Sequence, residues 1–205
     1  MSENNKNNVL VMVDIQPGFN DSCHELILDV VDKINQSNQL VICFYAGKTM
    51  DCDSKDSVIA YYLENGMDMD KIDQIRFIEK RWGWFRDWTD RNVPDAVTVK
   101  AVEHLLKTGK ESTEDFSDAD WQKVIGNNPA WQFVEFEDPL YSPDFNGKIF
   151  SKPEVDNIEL IGGGYNECLK EINIYLQALD KNVTINEQLC YGKDSLKNKK
   201  KKKFH

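Results

Sequence analysis

The sequence predicts an α/β fold in three layers. Helices cover both faces of a central, mostly parallel sheet, and a segment is inserted ahead of the fourth strand. Three observations carry that expectation. Short apolar runs alternate with amphipathic stretches at the spacing of βα units. The runs are continuous rather than alternating, as in strands covered on both faces. Each run is closed by glycine, proline or a charged residue. At 205 residues the chain suits one such domain and is short for two.

VLVMVDI (9–15) is the first strand, with Asp14 at its carboxyl end and Gln16-Pro17-Gly18 breaking it. Residues 24–36 set Leu26, Ile27, Val30, Val31 and Ile34 on one helical stripe. QLVICFYAG (39–47) is a second buried strand. A helix over 54–65 carries Val58, Ile59, Tyr62 and Leu63 and closes at Asn65-Gly66. IRFIEK (75–80) is a third strand ending on Lys80, and Pro94-Asp95 open a helix that runs to Leu106. Strand–helix repeated in this way implies a parallel sheet with right-handed crossovers.

Residues 110–156 break the rhythm and read as an inserted lobe or lid, with a short helix at Asp118–Ile125 and a strand at QFVEF (132–136). The repeat resumes with NIELIGGG (157–164), an amphipathic helix over 167–179 and a strand at NVTIN (182–186). Residues 1–196 are expected to form the domain, followed by a disordered lysine-rich tail at 197–205.

The net charge of −10 conceals an asymmetry, because six lysines lie in that tail. An acidic body argues against reading a phosphate backbone, so nucleic acid is left only the tail as a point of contact. No apolar run is long enough to cross a bilayer, and MSENNKNN lacks the apolar core of a secretory signal. A cytoplasmic location is expected. The five cysteines (23, 43, 52, 168 and 190) include no CxxC, and an odd count suggests reduced thiols.

In an open parallel sheet, ligands bind at the carboxyl edge, especially where strand order reverses. Asp14, Lys80 and Cys168 all fall there. Cys168 would open a helix, where the dipole and a nearby lysine favour thiolate. A carboxylate beside it would take and return a proton. The glycines before it would let the N–H groups of Gly164 and Cys168 form an oxyanion hole. Each residue also has a plainer reading: Asp14 as a turn cap, Lys80 as a surface lysine, Cys168 as a small buried hydrophobe. Cys43 reads as core.

VLVMVDIQPGF, IRFIEKRWGWF and IELIGGGYNECLKEINIYLQAL together resemble the isochorismatase-like cysteine hydrolases, across most of residues 9–107 and 157–190. The resemblance implies a catalytic triad of Asp14, Lys80 and Cys168, and a non-proline cis peptide near Gly163-Gly164. Gln16, Phe19, Trp84, Arg86 and Tyr165 are expected around a small-molecule substrate, with Arg86 placed to pair a carboxylate or phosphate. Nicotinamidases of that family hold a metal with an aspartate and two histidines after the second strand. This chain has only His24, His104 and His205, none of them there. The expectation is therefore a hydrolase without metal or other cofactor, cutting an amide or related acyl bond. Isochorismatases themselves cleave an enol ether without a cysteine.

The resemblance is incomplete at 110–156, and the chain enters its lysine tail where the family's last strand would follow. A protein of this fold that binds a small molecule or a partner without turnover is thus the competing expectation. The cluster of Trp82, Trp84, Phe85, Arg86 and Trp88 reads equally as a substrate wall and as a dimer contact. With the family's habit, it favours a homodimer or larger assembly. Gly162–Gly164 do not make a dinucleotide loop, since position 167 is glutamate rather than glycine or alanine.

Overall fold

The computed structural model describes residues 8–80, 93–110, 113–126, 148–151 and 155–193. Five strands form one parallel sheet: β1 (Asn8–Val13), β2 (Val41–Ala46), β3 (Ile75–Lys80), β4 (Asn157–Gly162) and β5 (Asn182–Cys190). Their order across the sheet is β3-β2-β1-β4-β5. The chain winds outward from β1 to β3, then crosses back to lay β4 on the other side of β1. The order therefore reverses between β1 and β4, with Leu10 facing Val41 on one side and Glu159 on the other.

Reversing direction while keeping crossovers right-handed sends the connecting helices to opposite faces. Six α-helices are described: α1 (Asn20–Cys23), α2 (Ile27–Gln36), α3 (Lys55–Glu64), α4 (Asp95–Thr108), α5 (Asp118–Ile125) and α6 (Cys168–Ala178). On one face Leu10, Met12 and Ile15 of the first strand region pack with Val30, Val31 and Ile34 of α2 and Val58 and Tyr62 of α3. On the other, Val9, Val11 and Val13 pack with Ala101, Val102 and Leu105 of α4 and Leu169, Ile172 and Leu176 of α6. The result is a three-layer α/β/α fold. Strand β1 is apolar on both faces because both are covered, which is why it reads as an unbroken run.

The helix expected from residue 24 begins later. Residues 20–23 close a separate turn, in which the His24 N–H donates to the Asn20 carbonyl at 2.9 Å. Helix α3 starts where Ser54 and Ser57 cap each other's backbone N–H. The described parts of the 110–156 interval belong to the core rather than to its margin. Trp121 and Val124 of α5 are buried in the first cluster, and Phe150 stacks on Phe44 with ring centres 6.2 Å apart. The expected strand at 132–136 lies outside the described residues. NVTIN opens a longer edge strand that continues to Cys190. Among the described residues no helix is long and apolar enough to cross a membrane.

Candidate active site

Asp14 follows the last residue of β1 and adopts φ +53°, the left-handed region that aspartate tolerates better than most residues. Two hydrogen bonds hold it there. Its N–H donates to the Phe44 carbonyl at 2.9 Å, and its carbonyl accepts from the Tyr191 hydroxyl at 2.7 Å. The carboxylate is thereby turned inward and is 1% exposed.

Lys80 ends β3, two strands away, and is also buried. Its ammonium nitrogen lies 3.1 Å from Asp14 Oδ2 and 3.3 Å from Cys168 Sγ. Cys168 is the first residue of α6 and is half-buried. Asp14, Lys80 and Cys168 thus meet at the carboxyl edge of the sheet, beside the point where strand order reverses.

Cys168 is delivered by the loop that leaves β4. Gly162 has φ +110°, and a Cβ on it would collide with the Val13 carbonyl oxygen, so only glycine lets β4 end this close to β1. The Gly163 N–H donates to Val13, Tyr165 to Tyr191, and Glu167 and Leu169 both to the Gly164 carbonyl. Among the described residues, the N–H groups of Gly164 and Cys168 have no such partner. The cis peptide expected near Gly163-Gly164 is absent: the described residues contain none. The turn is made through the φ of Gly162 instead.

Burial raises the Asp14 carboxyl, and Lys80 opposes that rise. The ion pair with Lys80 is its main compensation, and hydrogen bonds from the Cys168 thiol and the Ala46 backbone add to it. Burial alone would lower Lys80, but Asp14, then Cys168 and Glu171, outweigh it and hold the ammonium above its ordinary range. Burial, then the Asp14 charge, pushes the Cys168 thiol up against the pull of Lys80. The expected low thiol pKa is therefore corrected. The cysteine rests protonated, because desolvation and a neighbouring carboxylate outweigh one ammonium and a helix start.

Gln16 is fully buried and turned inward. Its side-chain oxygen accepts from the Ala46 N–H at 2.7 Å, while its amide donates to the Ala46 carbonyl at 2.9 Å and to Asp53 at 2.6 Å. It ties the segment after β1 to the end of β2. Phe19 is half-buried against the second core cluster. Tyr165, also half-buried, donates its hydroxyl to Glu187 at 3.2 Å. Trp84, Arg86 and the rest of the 82–88 cluster lie outside the described residues.

Two residues of the site escaped the sequence reading. Tyr191 braces Asp14 from a segment past the last expected strand. Glu171, one turn along α6 from Cys168, is a buried acid that the sequence reading did not single out. No protein-family model matches the chain, and no curated protein matches it either.

Proposed function

We propose that the protein is a cysteine hydrolase of small-molecule amides or related acyl compounds, acting through Asp14, Lys80 and Cys168. The observation that carries this reading is one buried ammonium within 3.1 Å of a carboxylate and 3.3 Å of a thiol. The likeness of the three strand-end motifs to the isochorismatase-like hydrolases supports it independently.

The protonated resting thiol sets the order of events. As Cys168 Sγ attacks the acyl carbon, Asp14 removes the thiol proton, a role that its raised basicity favours. Lys80 stabilises the negative charge passing from carboxylate to sulfur. The carbonyl oxygen becomes an oxyanion and is received by the N–H groups of Gly164 and Cys168. Collapse of the tetrahedral intermediate expels the amine, which takes its proton from Asp14, and leaves a thioester on Cys168. Asp14 then deprotonates a water that attacks the thioester. The acid departs, and the proton returns to Cys168.

The test is a turnover screen of small primary and secondary amides with the unaltered protein and with Cys168→Ser. Hydrolysis of one or more amides that falls by at least about a thousandfold in the variant is expected. Full turnover in Cys168→Ser would contradict the thioester route. Reversible binding without turnover would favour a non-catalytic binder of the same fold.

A further inference from the structure

Strand β5 is an edge of the sheet: among the described residues, β4 lies on one side of it and no strand on the other. Asn182 stands in register with Asn157, and its N–H donates to the Asp156 carbonyl at 2.9 Å. In a parallel ladder the N–H and C=O of one residue point to the same side, and the side alternates along the strand. Asn182 and Thr184 therefore bond to β4. The N–H and C=O groups of Val183 and Ile185 point away from it.

Free edges of this kind are usually blunted by charge, proline or a bulge. The opposite edge, β3, carries Arg76, Glu79 and Lys80 within six residues. NVTIN (182–186) carries no charge and no proline. Its bulge comes only afterwards: from Leu160 to Gly162 β4 advances two residues, while β5 advances five, from Ile185 to Cys190. The open stretch is short, uncharged and rich in β-branched residues.

Its own sequence says what fits it. NVTIN reads nearly the same in both directions about Thr184. Laid antiparallel on a second copy about a twofold axis at Thr184, it sets Val183 opposite the second copy's Ile185 and Asn182 opposite Asn186. Thr184 then faces Thr184. The outward N–H and C=O groups of Val183 and Ile185 are all used, in two hydrogen-bonded pairs that flank a non-hydrogen-bonded pair at Thr184. Beyond the ends, Lys181 falls opposite Glu187, so charges of opposite sign meet.

The neighbouring registers lose these bonds. Centring on Val183 would need the Lys181 N–H, which already donates to the Leu176 carbonyl at 3.1 Å. Centring on Ile185 would need the Glu187 carbonyl, which holds the Lys193 ammonium at 2.8 Å. Val183 and Ile185 are half-buried against the first core cluster, so pairing at Thr184 extends that apolar layer across the axis. We infer that two copies of this chain associate edge to edge through Asn182–Asn186, joining their sheets into one. A closed twofold contact of this kind uses the same patch on both copies and leaves neither edge open. The pairing is independent of the chemistry proposed for Cys168.

Sedimentation velocity of the unaltered chain over a wide range of concentration is expected to show a monomer–dimer equilibrium. Thr184 is exposed, so Thr184→Lys and Thr184→Glu should fold while setting like charges face to face on the axis. Each alone should raise the dimer dissociation constant roughly tenfold or more, and an equimolar mixture of the two should restore association. Register is read by oxidative cross-linking. Thr184→Cys should form a disulfide between the two copies of position 184, identified by peptide mass spectrometry, because directly opposed residues at such a pair lie within disulfide reach. Asn182→Cys, which faces Asn186, should form none with itself.

A chain that is monomeric at every concentration would overturn the inference. So would a dimer that withstands both charge substitutions and forms no link at position 184. Should the charged variants fail to fold, the cross-link in Thr184→Cys decides, and its absence at concentrations where the chain is dimeric would overturn the pairing.

Discussion

Tyr191 and Asp14 are separated by 177 residues in the chain and joined by a 2.7 Å hydrogen bond from the phenol to the aspartate's backbone carbonyl. The same ring lies against Gly163, where a Cβ would collide with it. The segment leaving the edge strand therefore braces both the proposed base and the loop that delivers Cys168. Tyr191→Phe removes one buried hydrogen bond and should cost about 1 kcal/mol in urea unfolding. It should also slow acylation of Cys168 severalfold, because Asp14 loses part of what holds it at φ +53°. Lower stability with unchanged acylation would reduce Tyr191 to a purely structural role.

Gly162→Ala should be far more damaging. The added methyl would collide with the Val13 carbonyl oxygen and would have to occupy φ +110°. A loss of ~3 kcal/mol or more is expected, read as a lower urea midpoint or as insoluble protein. Near-normal stability would mean that β1 and β4 separate more easily than their register implies.

Lys80→Met leaves the buried Asp14 carboxylate without its cation. Breaking one side of a buried pair costs about 3–5 kcal/mol. Adding Asp14→Asn to the same chain should restore part of that loss, since the orphaned charge disappears with it. A double-mutant cycle checks this: strictly additive losses would show that the two side chains are not coupled.

The strands were legible because β1 and β2 are buried on both faces and so are apolar throughout. Asp14 and Lys80 stood out as charges that end such runs, and Cys168 stood out by its glycine approach. What escaped notice depends on contacts distant in sequence. Gln16 was read as a substrate contact, but its partners Ala46 and Asp53 lie 30 and 37 residues away. Tyr191 gave no signal, since one aromatic after a strand fits many folds. Glu171 drew no attention because the helical period alone does not say how deeply a first turn is set. The thiol's direction of shift was misjudged for a related reason: burial, invisible in a motif, outweighs the lysine and helix start that are visible there.

Glu171 also gives the fold a pH dependence with a definite sign. Burial raises its carboxyl from 4.5 to about 8. Between those values the folded protein binds a proton that the unfolded chain releases. Stability is therefore full below the lower value and falls as pH rises through the upper one. Unfolding free energy should drop by on the order of a few kcal/mol from pH 5 to pH 9 through this group. Glu171→Gln should flatten that decline, measured by urea titrations at several pH values. A decline of the same slope in the variant would assign it to other groups.

The triad itself is tested most directly by trapping the acyl group. The protein is mixed with p-nitrophenyl acetate, quenched in acid within the first turnover, and digested for peptide mass spectrometry, alongside Asp14→Asn and Cys168→Ala. An acetyl group on Cys168 that hydroxylamine removes, and that is strongly diminished in Asp14→Asn, is the expected result. Acetylation spread equally over Cys52, Cys168 and Cys190, and indifferent to Asp14→Asn, would contradict the proposal that these residues act together.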